Sequence, residues 1–548
     1  MTDVLLIQPP IRDFYLTAKR TIPYGLACIA TALRQAGFRV QIIDALASPK
    51  RRILPLPAAM AYLRAHYGRV DRSPFALFHH FYHFGLGFDH IGRQARRSGA
   101  FLVGISSLFT PYADEALATA AAVKHHHPQC QIVMGGHHPS AFYHEVLAHP
   151  AVDYVIRGDG ERALPALARA LRENRPVGYA PGIVWKDRDG TIPSETTLAV
   201  MDAHEIPAPA MDLIQQHRYR RRHQAAMVVV TSRGCPLDCS YCSLGRSSGI
   251  PHRRRPVAGV LAEIAHGIEE HGVRFIDFED ENLSLDRAWF RELLAGITPF
   301  TGDRGVELRA MNGLLPATLD SDMVGAMRAA GFKTLNLSLG SSHPDQAARF
   351  QRPDLRASFE RVLARGSQLE MNAVAYVIAG APFQSALQSV DDLLYLARRP
   401  VLAGLSIYYP APESRDFERC QALDLLPEAP ALWRSTALPL DHTTTRLESV
   451  TLLRLARLLN FIKSILDAGR PLPEPAPVGG QLPMPDDRRR AGERLLAAFL
   501  HDGKIRGVEP DGVVYEHPVA TDLTRRFLNG LNPAELCGTV RGGIIKSR

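Results

Sequence analysis

The chain has 548 residues, 46% hydrophobic and 22% charged, with 42 Gly and 40 Pro, a balance that excludes collagen-like, coiled-coil and wholly disordered chains. Lys and Arg number 64 against 56 Asp and Glu, a net charge of +8 that is mild at this length and selects no partner by itself. At roughly 100–200 residues per domain, the length predicts about three or four domains. No run reaches the ~18 apolar residues of a membrane span, and the first residues read as a strand rather than a signal peptide. A cytoplasmic protein with no membrane partner is expected.

Residues 4–10 (VLLIQPP) are a continuous apolar run, which predicts a buried parallel strand. Helical spacing over 24–35 stops at Ala36-Gly37, and a second strand is predicted over 39–45. After an interruption come a strand at 101–107, a helix at 112–125, a strand at 131–136, and 154–158 leading into a helix from Glu161. This alternation predicts an α/β fold, a doubly wound Rossmann-like sheet over 1–172. Ligands of such sheets sit at the carboxyl ends of the strands. Those ends here carry Pro9-Pro10, Ser106-Ser107, Gly135-Gly136-His137 and Gly158-Asp159-Gly160-Glu161.

The interruption, residues 46–100, is predicted as a helical insertion whose aromatics cover the sheet, with His79, His80 and His83 part of that cover rather than metal ligands. Residues 173–223 read as a Pro-marked linker with a small hairpin over 182–187. A second alternation places strands at 227–231, 275–277, 307–310, 334–339, 372–378 and 404–409. Six β/α units over 224–415 predict a partial TIM-like barrel. The remainder, 416–548, reads as mostly helical, with a helix at 447–468, a Pro-rich linker at 471–485 and a basic helix from Arg488.

Seven cysteines in so long a chain do not make a disulfide scaffold. Cys28, Cys130, Cys420 and Cys537 stand singly and read as buried small hydrophobes. The other three form Cys235-Pro236-Leu237-Asp238-Cys239-Ser240-Tyr241-Cys242, directly after the first barrel strand. Three thiolates leave one position of a cubane cluster open. A structural zinc would need a fourth ligand and usually two C-x2-C pairs, and the chain has no second pair.

On this loop the chain resembles the radical S-adenosylmethionine (radical SAM) superfamily, whose signature is this spacing with an aromatic, here Tyr241, before the third cysteine. The resemblance implies a [4Fe-4S] cluster held by Cys235, Cys239 and Cys242, with S-adenosylmethionine on the open iron and Tyr241 beside the cofactors. Reductive cleavage would give a 5′-deoxyadenosyl radical. In the acidic turn over 278–283, Asp280 would accept the methionine amino group, and Asn312, after the third strand, would reach the same ligand. Ser338, Ser341 and Arg352 carry over from the fourth-strand region, Arg352 facing the carboxylate. Gly340 stands where the family usually has glutamate.

The first domain resembles the cobalamin-binding domain of the superfamily's largest branch, on Gly135-Gly136-His137-His138-Pro139 and on residues 153–161. That implies cobalamin near Ser106, Ser107, Gly135, Gly136, His137 and Glu161. The D-x-H-x-x-G motif that supplies a cobalt ligand elsewhere is absent, so no motif histidine is expected on cobalt. The implied activity is methyl transfer to an unactivated centre of a small-molecule or natural-product substrate, with flavodoxin or ferredoxin as electron donor and no nucleic-acid partner. Relatives that cyclise, oxidise or rearrange give the first alternative. A methylthiotransferase would need three more cysteines in the first domain, where only Cys28 and Cys130 stand. A non-enzymatic cobalamin sensor would not need an open iron.

Overall fold

Val4–Gln8 is buried at every position, as a strand covered on both faces must be. In the computed structural model, which describes residues 2–15, 22–177, 180–187, 189–193, 196–245, 249–302, 304–482 and 488–539, this run is β1. Contacts divide the chain into two units. One comprises Met1–Pro55, Phe81–Gly234 and Ile250–Asp277; the other comprises Leu56–His80, Cys235–Gly249 and Phe278–Arg548.

The first unit is built on β1 together with β2 (Ile11–Asp13), β3 (Val40–Asp44), β4 (Arg51–Leu54), β5 (Phe81–Phe84), β6 (Leu102–Ser106), β7 (Gln131–Gly135), β8 (Tyr154–Ile156) and β9 (Ile183–Trp185). Its main sheet has the order β3-β1-β6-β7-β8-β9, parallel except for β9. Because side chains alternate along a strand, Leu5 and Ile7 pack with Ile91, Ala116 and Val123 on one face, while Val4 and Leu6 pack with Leu26, Leu33 and Leu164 on the other. Each of these Leu, Ile and Val side chains contributes roughly 1.5–3 kcal/mol on burial. The α/β, doubly wound expectation is met. The order reverses direction between β1 and β6, so the crevice at their carboxyl ends is where this fold binds ligands.

Two expectations for this unit are corrected. Residues 46–100 are not a helical lid: β2, β5 and β4 form a small antiparallel sheet, and Phe88–Ser98 is one of the helices covering the main sheet. The short aromatic run Phe81–Phe84 carries no periodicity that separates helix from strand, and its β-favouring side chains pair across strands. Residues 182–187 do not form a hairpin within a linker either; they supply β9, the antiparallel edge strand beside β8.

The unit also contains β10 (Arg220–Arg221), β11 (Gln224–Val229), β12 (Ser232–Arg233), β13 (Arg253–Arg254) and β14 (Val273–Phe278). β10 pairs with β11, and β14 lies beside β11. β12 pairs antiparallel with β13.

In the second unit, β15 (Glu307–Ala310), β16 (Thr334–Gly340), β17 (Asn372–Ala379) and β18 (Leu402–Ile407) alternate with helices, and β16-β17-β18 form a parallel sheet. With β11 and β14 they are the six strands of the expected β/α alternation. Further on, the helix Arg446–Asp467 opens on a capping box between Thr445 and Glu448. The helices Arg488–Asp502 and Thr521–Gly530 follow, with a hairpin of β19 (Arg506–Val508) and β20 (Val514–Glu516) between them that periodicity did not reveal. Of the expected Pro-rich linker, residues 483–485 lie outside the described residues. Among the described residues no helix is long and apolar enough to cross a membrane.

Candidate functional site

The cysteine loop leaves the chain after Gly234 and returns at Ile250, so β12 and β13 form its neck. Gly234 turns with φ +73°, and a Cβ there would stand 2.8 Å from the Pro251 carbonyl oxygen. Only glycine accepts that turn at that distance.

Inside the loop, Cys235 is buried and Cys239 and Cys242 are half-buried, all three free. Burial pushes the Cys235 thiol up and the Cys242 thiol up to about 11. The loop is pinned at its centre. Ser240 N–H donates to Phe350 O at 3.1 Å, and Ser240 Oγ donates to Asp416 Oδ2 at 2.7 Å. Arg352 Nη1 donates to the Tyr241 hydroxyl at 2.8 Å and lies 3.9 Å from Cys239 Sγ, while Nη2 donates to Ser338 O at 2.8 Å. The Tyr241 ring meets Phe350 edge-on at 5.1 Å. Gly340 packs beside Arg352, where a Cβ would make only an ordinary contact at 3.5 Å with its Cδ and Nε, so it is the φ of +81° that favours glycine there.

Asn312 Nδ2 donates to the Glu279 carbonyl at 3.0 Å, tying β15's end to the turn that carries buried Asp280. The Ser341 hydroxyl donates to the Asp392 carboxylate at 3.0 Å, and Ser342 adds its N–H and hydroxyl at 2.6 Å each. Burial raises Asp392 to about 6. Phe350, Asp392 and Asp416 escaped sequence reasoning, since each acts through contacts distant in sequence.

In the first unit a cleft opens at the β1–β6 reversal, lined by Gln8, Pro9, Leu46, Ser107, Phe109 and Tyr112. Leu108 and Phe109 are 42% and 48% exposed there, large apolar side chains left open beside a strand end. Ser106 ends β6 opposite Gly135. Ser107 is buried with no partner for its Oγ among the described residues. A Cβ on Gly135 would meet only Ile156 O at 3.8 Å, whereas one on Gly136, with φ +117°, would stand 2.5 Å from Ser107 O. His137 is exposed, while His138 is buried, its Nδ1 3.4 Å from Thr110 Oγ1 and its pKa lowered by burial to about 4. Glu161 is taken up by Arg233. His83 Nε2 is engaged by Leu86 O at 3.0 Å.

The residues fit both groups the resemblance implies. Of the three free thiols, Cys235 and Cys242 are raised by burial and lose that penalty when iron binds their thiolates, and Arg352 adds a positive charge beside Cys239. Among the described residues no His, Cys, Asp or Glu set of three or more is already gathered around a metal position. A corrin suits the cleft: Leu108 and Phe109 stand exposed on its lining, and among the described residues the buried Ser107 hydroxyl has no partner.

Residues 74–168 match the family model of the B12 binding domain. Cytidylyl-2-hydroxyethylphosphonate methyltransferase of Streptomyces wedmorensis is 25% identical over 369 residues, 62% of this chain and 65% of that protein, just under two thirds of its length. Anaerobic magnesium-protoporphyrin IX monomethyl ester cyclase of Synechocystis sp. is 30% identical over 175 residues, 31% of this chain and 34% of that one. In fold, the chain is similar to the radical S-adenosylmethionine methyltransferase TsrM of Kitasatospora setae, with a TM-score of 0.61 at 16% identity over 83% of this chain and 89% of that one. With its B12 binding domain and its cysteine loop, the chain is similar to the cobalamin-binding radical S-adenosylmethionine enzymes.

Proposed function

We propose that this chain transfers a methyl group to an unactivated centre of a small molecule, using cobalamin, a [4Fe-4S] cluster and S-adenosylmethionine. The observation that supports this most is that the C-x3-C-x2-C loop accompanies a cleft at the strand reversal of a B12 binding domain. On this reading residues 1–172 bind cobalamin, 224–415 form the radical SAM barrel, and 416–548 are a C-terminal region.

When bound, the cluster supplies an electron that splits S-adenosylmethionine, and cobalamin carries the methyl group. Cys235, Cys239 and Cys242 would hold three of the four irons. Arg352, through the Tyr241 hydroxyl and Ser338 O, keeps the loop closed on β16. Asp280 would accept the ligand's amino group from the turn that Asn312 steadies. Ser341 would act through its backbone and the ordered turn, since Asp392 engages its hydroxyl. Leu108 and Phe109 would pack on the corrin and exclude water. A flavodoxin or ferredoxin would deliver the electron.

The cyclase of Synechocystis sp. favours a second reading, radical chemistry without methyl transfer. One measurement separates the two. Anaerobic, cobalamin-loaded protein with reductant, S-adenosylmethionine and candidate substrates should form both 5′-deoxyadenosine and S-adenosylhomocysteine. 5′-Deoxyadenosine alone would favour the second reading, and neither product would overturn both.

A further inference from the structure

The neck of the cysteine loop is held by two cations against two carboxylates. Arg233 sits on β12 and Arg253 directly across from it on β13. Arg233 Nη1 donates to Asp159 Oδ1 at 2.7 Å and to Glu161 Oε2 at 3.2 Å, and its Nη2 donates to Glu161 Oε1. Arg253 Nη1 donates to Asp159 Oδ2 and, at 2.6 Å, to Met201 O. Asp159 Oδ2 also accepts from Met201 N–H at 2.8 Å. The side chains are withdrawn from water: Glu161 is 2% exposed, Arg253 11%, Asp159 12% and Arg233 20%.

The four formal charges cancel, and each carboxylate answers at least one guanidinium. Such a network is a weak source of net stability, because desolvating four ions offsets most of their attraction. What it does supply is geometry, since forked arginine–carboxylate contacts fix direction as well as distance. The two arginines are the last side chain before Gly234-Cys235 and a residue three positions after the loop returns at Ile250. Their carboxylate partners come from Gly158-Asp159-Gly160-Glu161, between β8 and the helix Gly160–Arg172. Glu161 thereby has an occupation other than facing a corrin.

We infer that Asp159 and Glu161 are positioning residues for the cluster loop: through Arg233 and Arg253 they hold both of its ends, so that the spacing of the three thiolates is set from the B12 binding domain. A loop anchored at one end only must bear more closure entropy to bring three thiolates to one cluster. The inference rests on the proposed reading that these cysteines hold the cluster.

The test uses the full chain, reconstituted anaerobically with iron, sulfide and hydroxocobalamin and then gel-filtered. Glu161→Gln and Arg233→Met are compared with the unsubstituted protein and with the exchange variant Glu161→Arg/Arg233→Glu. Retained iron and sulfide, the EPR spectrum of the reduced cluster, and retained cobalamin are read. The inference expects both single variants to lose iron and sulfide severalfold, or to show a heterogeneous EPR signal, while cobalamin is kept. The exchange variant, or Arg233→Lys should the exchange not fold, is expected to recover much of the cluster. Unchanged cluster in both single variants would overturn it, as would loss of cobalamin in Glu161→Gln alone. Loss of both cofactors in both single variants, unrescued by exchange or by Arg233→Lys, would overturn it too, leaving the network as general support of the fold. Absence of iron and sulfide from the unsubstituted protein would instead defeat the proposed function.

Discussion

Gly136 and Ser107 meet backbone to backbone: a Cβ on Gly136 would stand 2.5 Å from the Ser107 carbonyl oxygen, at a φ of +117° that L side chains rarely adopt. Gly135, one residue earlier, has nothing closer than Ile156 O at 3.8 Å. The two glycines are therefore separable by substitution. Gly136→Ala should cost about 1–3 kcal/mol of stability through strain, read from urea unfolding of the apo chain. Gly135→Ala should leave that midpoint nearly unchanged and lower hydroxocobalamin retention. Equal stability losses in both, or full retention in Gly135→Ala, would remove the glycines from the corrin surface.

Asp280 lies buried in the turn after β14, and Asn312 holds that turn by the Glu279 carbonyl. Asp280→Ala should weaken S-adenosylmethionine binding by about 1–3 kcal/mol, the range of a charge-assisted hydrogen bond. Iron and sulfide should remain. Anaerobic equilibrium dialysis measures the affinity, and an unchanged value would assign Asp280 to the turn alone.

His138 gives the apo protein a pH signature. Burial lowers its pKa to about 4, below the ~6.5 of an unfolded chain. The folded state therefore prefers neutral imidazole. Its contribution is fully present above the unfolded value and is lost as pH falls from there through the folded one, up to about 3 kcal/mol in all. His138→Gln cannot titrate, so its unfolding midpoint should fall less steeply between those pH limits. Parallel pH profiles for the two proteins would contradict this assignment.

How much of this could be read from the chain depends on the range of the interaction. The thiol loop and the Gly135-Gly136 turn were legible because their chemistry lies between covalent neighbours. β1 was legible because burial on both faces leaves an unbroken apolar run. Phe81–Phe84 was not, since four aromatic-rich residues serve helix or strand equally well until a partner strand is known. The pairing of Arg233 and Arg253 with Asp159 left no local signal, since Asp159 lies 74 and 94 residues away. Asp392 was invisible for the same reason, sitting on a helix 50 residues beyond the Ser342 it engages.

Cobalt ligation gives a spectroscopic prediction. The chain lacks the motif histidine, and His138, the buried member of the Gly135-Gly136-His137-His138 run, is directed to Thr110. Bound cob(II)alamin should show no nitrogen superhyperfine splitting in its EPR spectrum. Splitting that disappears in His137→Ala would make that exposed imidazole the ligand.

On the proposed function, Cys235, Cys239 and Cys242 hold a four-iron cluster with one open iron. Low-temperature EPR of the anaerobically reconstituted, reduced protein tests it most directly, recorded with and without S-adenosylmethionine. About four irons and four labile sulfides per chain are expected, with a reduced-cluster signal that shifts when S-adenosylmethionine is added and loss of both iron and signal in the triple Cys→Ala variant with the fold retained. Stoichiometric zinc without labile sulfide, or a cluster signal that S-adenosylmethionine leaves unmoved, would contradict it.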